Sequence, residues 1–278
     1  MAPAVVLVLG VLVYPIGWEV WVSFTGLSSR GGGRGFVGLA NYRGMLADGF
    51  FWQALGTTVV YFAATTLAKL GLGLGMALLL RRPSRLRPLV FLAVFLPWAY
   101  PGAVTVVAWY WMLNPPLITS YSLTAGALKY AVDGFLGTGA YAFLSVALFN
   151  VWRGGSFTAV FLLAGLNAIP AELFEYAALE TRSAWQRLRH VTLPLLQPFL
   201  ALAVFLSFTT AFGDLANVWM LTGGRIVFPV VGTYAYWLGI HDGQLARAAA
   251  WSLSLVPLLA LALVVLFRWF DAPAESPA

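Results

Sequence analysis

Six apolar segments run along this chain, each longer than the ~20 residues an α-helix needs to cross about 30 Å of hydrocarbon. They are Ala2 to Phe24, Trp52 to Leu80, Leu89 to Leu113, Gly139 to Leu163, Leu195 to Leu221 and Leu245 to Trp269. In lipid every backbone N–H and C=O has to be satisfied within the protein, so spans of this kind are helices or closed barrels, and runs this long are helices. Only 9% of the 278 residues are charged, against about 25% in a soluble domain. The expected fold class is therefore all-α: a polytopic membrane protein with six transmembrane helices. No soluble block interrupts the spans, so residues 1–278 read as a single membrane domain with its core over 52–270.

The chain has no cysteine, which removes disulfides, thiolate metal sites and cysteine nucleophiles. Its net charge of +6 comes largely from arginines in the connections between spans, and is not a sign of a nucleic-acid partner. There is no G-x-x-x-x-G-K-[ST], H-E-x-x-H or G-x-S-x-G. His190 and His241 have no metal-ligand spacing. Neither catalysis nor a cofactor or metal is expected on this chain, and membrane lipid is its expected surroundings. The first apolar stretch has no basic lead and exceeds signal-peptide length, so it is expected to remain as a span.

One segment departs from the hydrocarbon. Glu175 to Pro198 carries Glu175, Glu180, Arg182, Arg187 and Arg189 between two apolar spans. Its first part, Ala171 to Leu188, has good helix formers, an apolar face flanked by charge, and no Gly or Pro. It is expected to form one helix that Leu193-Pro194 stops. Such a helix is either a handle for a soluble partner or a solvated connection, and the residues leave both open.

The segment resembles the cytoplasmic E-A-A loop of permease subunits of binding-protein-dependent ABC importers. Glu175 matches the Glu and Ala177 the second Ala. Glu180 stands where Asp is usual, Trp185, Gln186 and Arg187 follow, and Val191-Thr192-Leu193-Pro194 closes the pattern. Tyr176 replaces the first Ala, and Thr181 replaces a Gly that permits a turn between two short helices, because Gly alone takes positive φ cheaply. Further ordered matches point to the sugar branch. These are F-V-G-L-A-N-Y through F-W-Q-A-L-G-T-T (Phe36 to Thr58), F-L-P-W-A-Y-P-G (Phe95 to Gly102), Trp109 to Asn114, Asn150-Val151-Trp152-Arg153, and A-G-L-N-A-I-P (Ala164 to Pro170). Asp214, Leu221, Thr222 and Gly224 complete the series. The whole resembles the first permease of maltose and glycerol-3-phosphate systems, which the short C-terminus also favours.

The resemblance implies an importer subunit that moves a sugar or related carbohydrate across a prokaryotic cell membrane. It implies a second homologous permease, two ATPase subunits carrying ATP and Mg, and an extracytoplasmic sugar-binding protein. Within a loop over 166–193, Glu175, Tyr176, Ala177, Glu180, Thr181, Leu188, Leu193 and Pro194 would couple to the ATPase, through a helix between spans four and five. Arg81, Arg82, Arg85 and Arg87 form the densest basic loop, which is expected to be cytoplasmic and to put both termini inside.

Ionisable residues within spans are costly and face protein or water. Asp214 and Asn217 are three apart and share a helix face. With Asn150 and Trp219 they could hydrogen-bond and stack on a sugar along a substrate path. Alternatively, Asp214 neutralises Arg153 or Lys69. Glu19 is either an interfacial or a buried acid. Ile226 to Ile240 is apolar but too short to span, so it dips into the membrane or packs at the mouth. Pro97 and Pro101 lie inside the third span and free a carbonyl that neighbours or water have to satisfy. Two other classes compete: a stand-alone ion-coupled carrier, and an amino-acid or polyamine ABC permease, against which G-L-x-N-Y and L-T-G-G argue.

Overall fold

The structure, a computed structural model, describes residues 9–31, 33, 35–113, 139–212 and 214–271. Residues 2–8 of the first expected span, Arg34, Asn114, the expected outer loop Pro115 to Thr138 with Lys129, Gly213 and the tail after Asp271 lie outside the described residues. Among the described residues the fold is helical, with one isolated bridge between Thr25 and Phe36.

The centre is a pair of long helices, α3 (Gly49–Arg81) and α6 (Gly139–Ala168). Small residues let their backbones meet. A Cβ added at Gly73 would lie 2.7 Å from Thr158 Cγ2 and 3.1 Å from the Ala159 backbone nitrogen. Helix association in lipid gains little from hydrophobicity, so close packing has to supply it. Around this pair the chain places α1 (Tyr14–Ser23, entered through a π turn at Leu9–Val13), α2 (Ala40–Ala47), α4 (Arg87–Ala99) and α5 (Gly102–Leu113). The second half contributes α10 (Gln197–Phe212), α11 (Leu215–Leu221), α12 (Val231–Tyr236), α13 (Leu245–Leu253) and α14 (Leu255–Asp271). Large apolar side chains such as Leu67, Leu144, Leu148 and Leu261 remain exposed on these helices, as a lipid-facing surface requires.

Among the described residues three helices are long and apolar enough to cross a membrane: α3, α6 and the run Leu245–Leu266. Two more crossings exist if each of two bent pairs counts as one. The third expected span is one of these, and it is not a single helix. It breaks between α4 and α5 with a 91° bend. Tyr100, ahead of Pro101, is extended (ψ 144°), since the proline ring clashes with a helical residue before it. The fifth expected span also departs from expectation. It is interrupted between α10 and α11, beside Asp214, and at its start it meets the helical run Ala184–Leu195 at a 74° bend.

Two sequence motifs prove to be joints. In G-L-A-N-Y, Asn41 Nδ2 donates to the carbonyls of Ser23 and Thr25, 2.8 Å each, and Tyr42 Oη lies 2.7 Å from Ser23 Oγ, which clamps the end of α1. In L-T-G-G, Gly223 and Gly224 both take positive φ (63° and 76°) and Gly224 N–H caps the Trp219 carbonyl of α11 at 2.8 Å. The apolar stretch Ile226 to Ile240 packs inside: Val231 is buried, and its N–H donates to Thr58 Oγ1 at 3.0 Å.

Because Gly73 meets a backbone atom and a β-branched side chain, Gly73→Ala is expected to destabilise the purified chain by about 1–3 kcal/mol. Gly71→Ala, one residue pair away with nothing near its added Cβ, is expected to be neutral. Thermal unfolding of the two variants side by side checks this.

Candidate functional site

Asp214 ends the break between α10 and α11, 5% exposed within the helix bundle. A buried carboxylate is tolerable only if its lone pairs are met. Tyr61 of α3 donates its hydroxyl to Oδ2 at 2.7 Å, and Asn150 Nδ2 of α6 donates to the same oxygen at 2.6 Å. Asn217, one turn into α11, donates to Oδ1. Three neutral donors from three helices thus meet one charge. Asn150, Asp214 and Asn217 come together as the sequence suggests. Tyr61 was missed, because a tyrosine in an apolar run looks like any other interfacial or core aromatic.

Lys69 acts on Asp214 through space without touching it, and Arg153 turns to another partner. Among the described residues neither Arg153 nor Lys69 forms an ion pair with Asp214. Arg153 Nη2 instead donates to the Tyr100 carbonyl at 3.4 Å, an oxygen that the α4–α5 break deprives of its usual helical donor. Lys69 is 2% exposed, and its stem lies over Gly154, where an added Cβ would come 2.6 Å from Lys69 Cδ.

Asp214, Asn150, Asn217, Lys69 and Arg153 line one cavity of about 510 Å³ between α3, α4, α6 and α10. Trp98, Phe149, Phe157 and Phe161 form its apolar wall, and Ser207, Thr209 and Thr210 add hydroxyls. Asn150 Oδ1 and Arg153 Nε are buried there without a protein partner among the described residues. Aromatic faces with unspent donors and acceptors suit a polyhydroxylated ligand. Trp219 is elsewhere: it packs against Tyr236 (4.9 Å between ring centres) and over Gly224, and does not line this cavity.

The charged segment folds as two short helices, and not as the one expected from Ala171 to Leu188. α7 covers Ala171–Glu180 and α8 covers Ala184–Arg187. Thr181 makes the turn without positive φ. It is extended (φ −147°), and its Oγ1 accepts from Ser183 N–H at 3.2 Å and bonds Gln186 Oε1. Ser183 then caps α8 through Gln186 N–H. The hydroxyl thus supplies by hydrogen bonding what a glycine supplies by conformational freedom. The expected stop at Leu193-Pro194 is also corrected. A π turn at Leu188–Thr192 leads through Pro194 into a short helix, α9 (Leu193–Leu195), and the change of direction follows Leu195. A wider turn ahead of the proline accommodates a residue with no N–H.

Glu175, Tyr176 and Glu180 face outward on α7, with Leu179 84% exposed beside them. Ala177 is 5% exposed and turned into the protein, so it offers no docking surface. Leu188 and Leu193 are half-buried and Pro194 is exposed. Trp185 is 65% exposed. The Arg81 guanidinium lies over the Phe174 ring, 3.5 Å from its centre, so the loop after α3 and the α7 segment share one side of the bundle.

These features define a helical membrane subunit with a central polar cavity and an apolar-and-acidic helix displayed at one end. The chain belongs to the family of binding-protein-dependent transport system inner membrane components, whose profile matches residues 69–272. It is 34% identical to the trehalose transport system permease protein SugA of Mycobacterium tuberculosis over 229 residues, 81% of this chain and 72% of that one. It is 31% identical to the sulfoquinovosyl glycerol transport system permease protein SmoG of Agrobacterium fabrum over 250 residues, 88% of this chain and 79% of that one. The trehalose/maltose transport system permease protein MalF of Thermococcus litoralis is 32% identical over 225 residues, 80% of this chain and 75% of that one. A chain of a bacterial alginate ABC transporter, crystallised with an alginate pentasaccharide-bound periplasmic protein, has the same fold. Its TM-score is 0.74 at 17% identity, covering 100% of this chain and 94% of that chain.

Tyr61→Phe removes one of the three donors to the buried carboxylate. It is expected to cost about 1–3 kcal/mol of stability, read as a lowered thermal midpoint, whereas Trp219→Phe leaves the cavity cluster intact.

Proposed function

We propose that this chain is the transmembrane permease subunit of a sugar-type ABC importer, carrying a sugar or related carbohydrate across the cell membrane of a prokaryote. ATP hydrolysis resides on a separate subunit. One observation carries the reading: a chain of this family holds, among its spans, a cavity of about 510 Å³ walled by aromatics and furnished with unspent hydrogen-bonding groups. The sugar-transport permeases it resembles favour a carbohydrate over an amino acid or a polyamine.

α1, the bent pair of α4 and α5, and α10 with α11 join α3, α6 and the Leu245–Leu266 run to make six spans, with both termini and the α7–α8 segment in the cytoplasm. The permease pairs with a second homologous permease, two ATPase subunits and an extracytoplasmic binding protein. α7 seats in an ATPase cleft through Glu175, Tyr176, Leu179 and Glu180. The turn at Thr181, braced by Ser183 and Gln186, transmits its displacement to α8 and, through the π turn, to α10. Movement of α10 alters the cavity that its Ser207, Thr209 and Thr210 help to line. Alternation of the cavity between the two sides then delivers sugar handed over by the binding protein. Within the cavity, Asn150, Asp214 and Asn217 orient the sugar hydroxyls, while Arg153 holds the broken third span.

Glu175→Lys is expected to abolish assembly with the ATPase and sugar uptake at normal membrane levels. Wild-type assembly and uptake in that variant would refute the docking role. Thr181→Gly is expected to retain most uptake, since glycine adopts the same extended backbone. Thr181→Val is expected to uncouple ATP hydrolysis from uptake, because it loses the hydroxyl that holds the turn. Asp214→Arg combined with Arg153→Asp is expected not to restore uptake, as the two side chains are not partners. Recovery in that double variant would assign Asp214 to charge neutralisation.

A further inference from the structure

A second cavity lies outside the central one, between the end of α3 and the α7–α9 segment, and encloses about 420 Å³. Its charged lining is cationic throughout: Arg81, Arg82 and Arg187, with no Asp or Glu. Glutamates 172, 175 and 180 stand on the neighbouring α7, yet among the described residues none of the three arginines forms an ion pair. Stacking on Phe174 fixes the Arg81 guanidinium while leaving its in-plane N–H fork available. The opposite wall is apolar, made by Leu78, Leu188 and Trp185.

Depth decides what such a groove can hold. α3 has 33 residues and Arg81 is its last, so the helix is about 50 Å long and its end clears the ~30 Å hydrocarbon layer. Leu79, next to the groove's Leu78, is 55% exposed. The groove therefore joins an arginine-lined head to an apolar foot at the level of the lipid headgroups. A free inorganic anion would use only the head, whereas an amphiphile with a phosphate uses both.

We propose that this groove binds the phosphate headgroup of an anionic membrane lipid, with Arg81 and Arg187 as its principal ligands. Two guanidiniums from separate elements give the phosphate charge-assisted hydrogen bonds, and basic pockets between helices at this depth are suited to such headgroups. A lipid seated there would brace the α7–α8 segment against the end of α3.

The test is native mass spectrometry of the full complex, released from nanodiscs holding equal phosphatidylglycerol and phosphatidylcholine. Wild type is expected to retain phosphatidylglycerol selectively. Arg81→Gln with Arg187→Gln is expected to retain it about 30-fold less, which is about 2 kcal/mol at about 1.4 kcal/mol per tenfold. Arg81→Lys with Arg187→Lys, which keeps the charge, is expected to retain most of it. Arg85→Gln with Arg189→Gln removes the same charge outside the groove and is expected to change nothing. An equal loss in that control would overturn the proposal in favour of bulk attraction. Retention of inorganic phosphate in place of lipid would overturn the headgroup source. Loss of an ATPase subunit from the Arg81→Gln, Arg187→Gln complex, with lipid retention unchanged, would assign the groove to the ATPase.

Discussion

A buried carboxylate met only by neutral donors organises the middle of this molecule. Asp214 draws Tyr61 from α3, Asn150 from α6 and Asn217 from α11 onto its two oxygens. Charge in a low-dielectric interior demands partners, and leaving a donor out costs more than the bond itself gains in water. The demand ties the break between α10 and α11 to the two central helices. It also decides where the cavity lies, because the residues that meet the carboxylate line the space beside it. Neither cation touches the carboxylate, although Lys69 lies close enough to act on it through space. Arg153 is used to hold the Tyr100 carbonyl at the broken third span, and Lys69 threads over Gly154.

The surrounding helices are irregular in ways that suit a transporter. Straight spans would close the bundle against itself. Here the third span is bent by 91° at Tyr100-Pro101 and the fifth is broken beside Asp214, and irregular backbone within a membrane is tolerated where it borders a cavity. The rigid part is the α3–α6 pair, whose Gly73, Gly154 and Gly155 leave no slack. The part displayed at one end, α7 and α8, meets this pair through Phe174, which packs against the cluster of Leu80 and Leu166 and under Arg81. A lever that couples an external push to a cavity needs this division between a fixed core and a jointed arm.

Much of this was legible in the sequence. Periodicity and apolar length marked the positions of the helices, and the E-A-A-like stretch marked the exposed segment. The residues Asn150, Asp214 and Asn217 were placed together by spacing and resemblance. What was not legible depended on tertiary partners. Tyr61 has no local signal that sets it apart from neighbouring aromatics. Trp219 was grouped with Asp214 by proximity in sequence, but Gly223 and Gly224 fold it back toward Tyr236. The turn at Thr181 could not be inferred from propensity, because it depends on a hydroxyl finding Ser183 N–H and the Gln186 side chain. The π turn ahead of Pro194 was hidden for a similar reason: a proline signals a stop, and only the wider turn before it shows that the helix continues.

The most direct test of the transport account is to purify the tagged chain from native membranes, identify what accompanies it by mass spectrometry, and measure sugar uptake after reconstitution. The account predicts an ATPase subunit, a second permease and a sugar-binding protein in the preparation, and uptake that requires ATP. Recovery of the chain alone or only with copies of itself, with uptake independent of ATP, would contradict it and indicate an ion-coupled carrier.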